Sequence, residues 1–226
     1  MKNKIISANE AVKPIFDGAV IMVGGFASRG TPEVLIDALV EQGTKDLTVI
    51  SCDAGLPGVG VGKLLRNGQV KKLIATHVGL NPEVAYRTPE TPNIYNVEYV
   101  LIPQGTFVEC IRAEGCGLGG VLTQVGVGTV VEEGKQKINV GGKDYLLEEP
   151  ISADFALIRA SVADKKGNII YNQTTRNFNT VMAMAAKHVI AGAEKIVETG
   201  ELDPNYVMTP CILIDAIVGG EKSCLM

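Results

Sequence analysis

The sequence predicts an α/β fold built on an open, mostly parallel sheet that is flanked by helices. Three observations predict it: short uninterrupted apolar segments typical of buried parallel strands, helical segments between them, and short connections. The chain of 226 residues is 46% hydrophobic and 20% charged, as expected for a globular protein that buries a core. Because no linker-like stretch divides it, we predict a single domain over residues 1–226.

The first elements are predicted from capping signals and one apolar segment. Ser7-Ala-Asn-Glu10 fits a capping box, which predicts a helix that runs to about Phe16. The apolar segment 19–23 is typical of a buried strand. Thr31 is then a candidate N-cap with Pro32 at the first helical position, and a glycine at position 43 suits the helix end.

The alternation of strands and helices continues along the rest of the chain. Residues 115–128 are rich in glycine but contain Val and Leu, so we expect structured loops there. Residues 137–147 predict an antiparallel hairpin that turns at Gly141-Gly142. The other predicted strands are Leu47–Ser51, Val70–His77, Val97–Ile102, Phe155–Ala160, Ile169–Tyr171, Val189–Ala191 and Ile212–Ile217, and the other predicted helices are Gly62–Arg66, Pro82–Arg87, Gln104–Arg112 and Asn179–Lys187.

Charge and composition exclude several classes of function. The net charge of −4 argues against a nucleic-acid surface, which needs basic patches. The N-terminus lacks the apolar core of a signal peptide, and no apolar run approaches the length of a membrane span. The five cysteines are scattered and there are only two histidines, so we expect neither a disulfide framework nor a metal site. These features predict a soluble cytoplasmic protein.

The segment VGGFASRGTP, at residues 23–32, places a glycine-rich loop between a predicted strand and a predicted helix. Such a loop lets backbone N–H groups meet an anion at the helix N-terminus. The glycines at 24, 25 and 30 do not have the spacing of a dinucleotide-binding motif, and Thr31 replaces the lysine of the Walker pattern. The alternative is that the glycines only allow the backbone to turn beneath the helix.

The longer stretch DGAVIMVGGFASRGTP, residues 17–32, resembles the signature of the family I coenzyme A transferases at every fixed position. The resemblance continues over almost the whole chain, and it is to the separate alpha subunits of bacterial acetate or butyrate:acetoacetate CoA-transferases. Other family members fuse the alpha and beta halves. The further matching segments, in the family's order, are LIPQGTFVECIRAEGCGLGG (101–120), GVGTVVEEGKQ (126–136), YLLEEPISADFALIRASVADKKGNIIY (145–171) and TRNFN (175–179).

The resemblance implies an enzyme that moves coenzyme A between carboxylates through a covalent glutamyl-CoA thioester, with ping-pong kinetics. In the family the nucleophilic glutamate lies in a Ser-Glu-Asn-Gly type motif of the beta subunit, and this sequence lacks that motif. Glu114 is the alternative nucleophile, but it falls where the family usually has glycine. The implied partner is therefore a beta subunit in an α2β2 assembly. The implied substrates are acyl-CoA and short carboxylic or 3-oxo acids, with a CoA thioester as substrate and no permanently bound cofactor.

The resemblance also implies where the site residues lie. Gln104 is the candidate for oxyanion support, although its amide has the alternative role of anchoring a loop at a helix start. Arg29 either pairs with a substrate carboxylate or a CoA phosphate, or is a surface cation. The implied coenzyme A segment comprises Gly24, Gly25, Phe26, Ala27, Ser28, Arg29 and Gly30, with Phe26 packing on an acyl or pantetheine chain.

Two further residues and one further function stay open at this point. Asp53 either lines an acyl pocket or caps a turn. His77 ends a predicted strand, so it either reaches a ligand crevice or is a histidine at the edge of the core. The alternative function is a non-catalytic small-ligand-binding or regulatory module on a related α/β fold.

Overall fold

Continuous apolar segments form the strands of one large sheet, and a second, smaller sheet lies beside it. The computed structural model describes residues 4–85 and 97–222. The strands are β1 (Val20–Val23), β2 (Leu47–Ser51), β3 (Val70–Ala75), β4 (Glu98–Leu101), β5 (Val121–Thr123), β6 (Lys137–Val140), β7 (Lys143–Glu148), β8 (Ala153–Asp164), β9 (Ile169–Ile170), β10 (Ala186–Val197) and β11 (Ala216–Gly219). The α-helices are α1 (Ala8–Val12), α2 (Glu33–Gln42), α3 (Val61–Arg66), α4 (Pro82–Ala85), α5 (Gln104–Gly115) and α6 (Asn179–Met182).

The large sheet has the strand order β11-β10-β8-β1-β2-β3-β4, with the short β9 added antiparallel to β8. Every other pair in this sheet is parallel. From β1 the chain moves outward through β2, β3 and β4, whereas β8, β10 and β11 extend the sheet on the other side. The carboxyl ends of the parallel strands therefore share one edge, and the order reverses between β1 and β8.

Both faces of the large sheet are covered, and the described residues form a hydrophobic core on each face. Side chains alternate along β1: Ile21 and Val23 pack with α1, α2 and α3, whereas Met22 packs with α5 and α6. This alternation is the two-residue period of a strand, and covering both faces explains why the strand sequences are apolar throughout.

The main features predicted from the sequence are confirmed. The mostly parallel sheet is present, and β2 has the predicted bounds Leu47–Ser51. The small sheet has the order β5-β7-β6, and its β6–β7 hairpin turns at Gly141-Gly142. The capping box between Ser7 and Glu10 is formed in both directions. Gly43 ends α2 in the left-handed conformation, with φ of 75°.

The predicted start of α2 is wrong by one residue. Pro32, not Thr31, is the N-cap, and the helix begins at Glu33 without a side-chain cap from either residue. Thr31 is buried instead. The N–H of Val34 in the first helical turn donates to the carboxylate of Glu221 at 3.0 Å. A residue 187 positions away therefore supplies an acceptor that a local cap was expected to supply.

Sheet pairing accounts for other differences between the predicted and the observed bounds of the elements. The helix predicted over 179–187 ends at Met182, because β10 pairs with β8 from Ala186 onward. The strand predicted over 212–217 begins only at Ala216, after a 3₁₀ turn at Cys211–Leu213. The loop predicted over 115–128 contains β5, which pairs with β7.

Two predicted helices are shorter than expected. The first helix ends at Val12, two residues before Pro14, since a proline inside a helix lacks the N–H that the helix needs. Helix α4 covers Pro82–Ala85, and the predicted end at Arg87 lies outside the described residues. None of the helices in the described part of the chain combines the length and apolar character needed to cross a bilayer.

The β8–β9 turn depends on one buried carboxylate. Asp164 is 2% exposed, and its Oδ1 accepts the backbone N–H groups of residues 166, 167 and 168 at 2.9 Å. Its Oδ2 accepts the side-chain amide of Asn168 at 2.8 Å. Burial disfavours the charged form, but these hydrogen bonds together outweigh burial and lower the pKa of Asp164.

We expect Asp164→Ala to lower the free energy of unfolding by about 2–3 kcal/mol at pH 7, because several backbone donors lose their partner. A lowered pKa in the folded state means that this stabilisation is complete above the ordinary value of 3.8 and is lost as the pH falls below it. Urea unfolding of both proteins between pH 7 and pH 3 measures the difference. The control is Asp203→Ala, which removes an exposed cap with one donor, Asn205 N–H, and an equal loss there contradicts the assignment.

Candidate active site

Four connections meet at the edge of the large sheet where the parallel strands end. Residues 24–30 follow β1, residues 52–60 follow β2, Thr76 and His77 follow β3, and Pro103 precedes α5 after β4. In open α/β sheets, ligands bind in the crevice outside the carboxyl ends of the strands. The geometry therefore brings the sequence-predicted residues to one edge, although they lie at different points along it.

The loop after β1 is a tight two-residue turn. The backbones of Phe26 and Arg29 exchange two hydrogen bonds, at 2.9 and 2.8 Å. The two residues between them have left-handed φ angles, 47° for Ala27 and 62° for Ser28. Such angles cost roughly 1–2 kcal/mol per residue outside glycine. Backbone strain of this kind persists only where the surroundings hold it, and it concentrates at functional sites.

Asp53, after β2, is one of the groups that hold this turn. Its Oδ2 accepts the Ala27 N–H at 2.7 Å, and its Oδ1 accepts the Gly55 N–H at 2.8 Å. The Ser28 hydroxyl accepts the Leu56 N–H at 3.1 Å and makes a second link between the loops. Asp53 is only 5% exposed, and both of its oxygens bind backbone. The alternatives for Asp53 were lining an acyl pocket and capping a turn. Its contacts are those of a turn cap, and they also join the two loops.

The loop after β2 repeats the shape of the first loop. The backbones of Leu56 and Val59 form a β-bridge on either side of Pro57-Gly58. The backbones of Phe26 and Arg29 form the same kind of bridge in the first loop. The tips of both loops carry partly exposed apolar side chains, since Phe26 is 40%, Leu56 39% and Val59 37% exposed. The edge therefore presents two joined loops with apolar tips.

Two asparagines of the TRNFN segment clamp the first loop from the opposite side. Asn177 Nδ2 donates to the Arg29 carbonyl at 2.9 Å, and Asn179 Nδ2 donates to the Gly30 carbonyl at 2.9 Å. Asn179 Oδ1 also accepts the Arg159 N–H on β8 at 2.9 Å. Sequence reasoning predicted no role for these asparagines. The signal available was that TRNFN follows the glycine loop in the family's order of segments.

The first loop needs glycine at several positions because side chains of the protein lie too close to leave room for a Cβ. A Cβ on Gly24 would lie 1.8 Å from Asn179 Oδ1, and one on Gly25 would lie 2.3 Å from Thr31 Oγ1. Gly30 has a φ of 74°, and a Cβ there would approach Asn177 Nδ2 to 2.8 Å. The close approach that glycine permits at these positions is to the protein's own side chains.

Gln104 is the first residue of α5 and is exposed. Pro103 is the N-cap and has no side chain that can accept a hydrogen bond, so the first N–H groups of the helix point outward at the same edge. With neighbouring strands about 4.8 Å apart, the ends of β1 and β4 are about 14 Å apart. Gln104 and the first loop therefore lie at different points along this edge.

Glu114, the alternative nucleophile, lies at the other end of α5. It is exposed, and at 1.5 Å per residue it is about 15 Å along the helix axis from Gln104. This position is away from the edge where the four connections meet.

His77 and Cys52 lie close to Asp53 at the ends of β3 and β2. The Thr76 hydroxyl donates to the Cys52 carbonyl at 2.8 Å and lies 3.0 Å from His77 Nδ1. Because a hydroxyl has one proton, Nδ1 is the donor in the second contact when the imidazole is neutral. His77 is half-buried, in keeping with a core-edge histidine. Burial raises the pKa of the Cys52 thiol to about 12, so this thiol stays protonated and is not a nucleophile.

Arg29 is exposed at the end of the turn, and its backbone carbonyl is used by Asn177. Exposure fits both a cation that meets a ligand and a surface cation, so both alternatives stay open. Within residues 4–85 and 97–222, no group of three or more His, Cys, Asp or Glu side chains is arranged to hold a metal ion.

Comparisons with known proteins give matches over most of the chain. The family model described as coenzyme A transferase matches residues 5–220. The chain is 47% identical over 223 residues to the alpha chain of the acetate CoA-transferase of Escherichia coli K12, covering 99% of this chain and 100% of that protein. It is 50% identical over 220 residues to the acetoacetyl-CoA:acetate/butyrate CoA transferase alpha subunit of Clostridium acetobutylicum, covering 96% and 98%.

Solved structures share the fold at lower identity. An acyl-CoA transferase from Escherichia coli O157:H7, solved as a thioester complex with CoA, is 24% identical, with a TM-score of 0.81 over 99% of this chain. This chain spans 48% of that chain, about half its length. The glutaconate coenzyme A-transferase of Acidaminococcus fermentans is 20% identical, with a TM-score of 0.79, covering 95% of this chain and 75% of that chain.

We expect Gly24→Ala to lower the free energy of unfolding by about 3 kcal/mol, because the Asn179 side chain is held by four hydrogen bonds and cannot move away from the new methyl group. Chemical denaturation measures this loss. The matched control is Gly119→Ala, where a Cβ meets no atom within 4 Å. Equal stability of the two variants contradicts the assigned packing of Gly24.

Proposed function

Because the chain belongs to the coenzyme A transferase family, we propose that it is the alpha subunit of an enzyme that moves coenzyme A between a short-chain acyl-CoA and a carboxylate or 3-oxo acid. The observation that carries this proposal is the end-to-end match, at 47% and 50% identity, to alpha subunits named for acetate, acetoacetyl-CoA and butyrate. A relative from Acinetobacter baylyi named for 3-oxoadipate CoA-transferase, 45% identical, widens the range of acids to consider.

The reaction is divided between two chains. A glutamate supplied by the beta chain attacks the acyl thioester, which forms a mixed anhydride and releases the CoA thiolate. The thiolate attacks the glutamyl carbonyl, which forms the glutamyl-CoA thioester and releases the first carboxylate. The second acid then reverses these steps. Electrons and protons balance without an oxidant or a metal, so the proposal includes no resident cofactor.

The first loop, Gly24 to Gly30, is proposed as the contact for the coenzyme A part of the substrate. Two features support this role. The loop lies at the carboxyl end of β1, beside the reversal of strand order, and its strained turn is held by Asp53 and by the Leu56 N–H, which binds the Ser28 hydroxyl. Phe26, with 40% of its surface exposed at the tip, is placed to pack on the pantetheine chain.

Gln104 is proposed to stabilise the oxyanion that forms in each addition step. Its exposed position at the start of α5 supports this role, because the helix N-terminus adds a field that favours negative charge. We propose that the loop holds the coenzyme A chain while Gln104 acts at the thioester carbonyl, and the separation of about 14 Å between the ends of β1 and β4 supports this division.

The proposed partner is a beta subunit, in an α2β2 assembly in the cytoplasm, with residues 1–226 acting as one domain. The beta subunit brings the nucleophile to the open edge of the sheet, where the apolar loop tips Phe26, Leu56 and Val59 are exposed in the isolated chain.

The first test measures transfer of CoA from acetoacetyl-CoA to acetate by this chain alone, by its co-expressed beta-type partner alone, and by the two together. We expect activity only in the mixture, because neither chain alone has a complete site. Activity of this chain alone contradicts the divided site. Absence of activity in the mixture, together with binding of a small effector by this chain, supports the non-catalytic alternative.

The second test replaces Gln104 with alanine in the active complex. Loss of one oxyanion donor lowers kcat by about 100-fold to 1,000-fold, with a smaller change in KM. Glu114→Gln on the same helix is the control, and we expect it to keep wild-type activity. A large loss in Glu114→Gln, with little change in Gln104→Ala, reverses the two assignments.

A further inference from the structure

A buried charged cluster lies behind the first loop, at the start of α2. Its centre is Arg159 of β8, which is 4% exposed, and Glu221, which follows β11 and is 7% exposed. Glu194 of β10 is the second carboxylate on this guanidinium. Buried charges are costly unless they are paired and hydrogen-bonded, so their arrangement is tightly constrained.

Each carboxylate oxygen of Glu221 has a different partner. Oε1 accepts the Val34 N–H in the first turn of α2 at 3.0 Å, and Oε2 accepts Arg159 Nη1 at 3.2 Å. The space for this carboxylate exists because residue 192 is glycine: a Cβ there would lie 2.6 Å from Oε1. Glu221 therefore supplies an acceptor to α2 that no local N-cap side chain supplies.

The same arginine reaches the end of the first loop. Its Nη1 also donates to the carbonyl of Thr31, which directly follows Gly30, at 3.1 Å. Its backbone N–H binds Asn179, which in turn holds the Gly30 carbonyl. Glu221 is therefore linked to the exit of the loop through the guanidinium, and to the start of the helix that follows directly through its own Oε1.

We propose that Glu221 is a positioning residue for acyl-CoA binding: by holding Arg159 and the first turn of α2, it sets the position of residues 24–30. The assignment rests on the proposed function, because it takes that loop to be the coenzyme A contact. Glu221 does not touch the substrate; it acts through Thr31 and Val34.

Glu221 also makes this arrangement sensitive to pH. Burial raises the pKa of Glu221 to about 7, and the opposing attraction of Arg159 does not cancel the effect. Only the ionised form pairs fully with Arg159, so the loop is held better as the pH rises through about 7. The other charged groups around Glu221 are Glu33 and Asp37 of α2, Lys63 of α3, Glu194 of β10 and Lys222.

The experiment uses the active alpha–beta complex and two variants of this chain. Glu221→Gln is nearly isosteric, but its side-chain amide has one acceptor oxygen where the carboxylate has two. It therefore accepts a hydrogen bond from either Val34 or Arg159 and not from both. Gly192→Ala keeps the glutamate at position 221, but the added methyl group displaces its carboxylate. The control, Gly219→Ala, lies on the neighbouring strand β11, where a Cβ meets only Ile196 Cδ1 at 3.4 Å.

We expect KM for acyl-CoA to rise about tenfold in both variants with a smaller change in kcat, the size expected for one hydrogen bond to a charged group. Amide hydrogen exchange at residues 26–36 becomes faster in both, and the control resembles the wild type. In the wild type, KM falls as the pH rises through about 7; in Glu221→Gln this inflection is absent.

Unchanged KM and unchanged exchange in Glu221→Gln overturn the positioning role, even if Gly192→Ala fails to fold. A KM that rises while the inflection near pH 7 persists overturns the assignment of the pH dependence to Glu221, because another group then titrates. Failure of the wild-type complex to transfer CoA contradicts the proposed function instead. In that case the exchange measurement still decides whether Glu221 holds the loop.

Discussion

Burial of the Arg159 guanidinium is the constraint on which the site depends. A buried guanidinium must have acceptors for its N–H groups, and here they come from the Thr31 carbonyl, Glu194, Glu221 and the Lys222 carbonyl. These acceptors belong to segments that are far apart in the sequence. Satisfying one side chain therefore fixes the start of α2, the second half of β10 and the chain after β11 relative to β8.

Hydrogen bonds from two sides explain how a strained loop persists at the edge of the sheet. The Ala27-Ser28 turn has unfavourable φ angles and is stable only because Asp53 and Leu56 bind it on one side and the asparagines of TRNFN bind it on the other. A loop held from several directions is preorganised, so less ordering is needed when a substrate binds. The parallel sheet supplies the remaining requirement, because it brings the loop ends to the same edge as Gln104.

The sequence was informative where local chemistry decides the structure. Apolar segments such as Leu47–Ser51 predicted buried strands correctly, and the capping box at Ser7 and the glycine at 43 marked helix ends correctly. It was misleading where distant partners decide. Residues 186 and 187 fit a helical pattern, yet they belong to β10, since pairing with β8 satisfies their backbone. Thr31 had the residue type of an N-cap, but it is buried and Glu221 serves the helix instead.

By itself the sequence determined the α/β class, the family resemblance and the location of the glycine loop and Gln104, because these depend on apolar periodicity and on contiguous motifs. Only the tertiary structure decided why Gly24 must be glycine, that Asp53 caps and joins two loops, and that Asn177, Asn179, Arg159 and Glu221 hold the first loop. The physical reason is that a hydrogen bond or a steric contact acts at about 3 Å in space, whatever the separation in sequence. The spacing of residues along the chain carries no record of such contacts when their partners are far apart in the sequence.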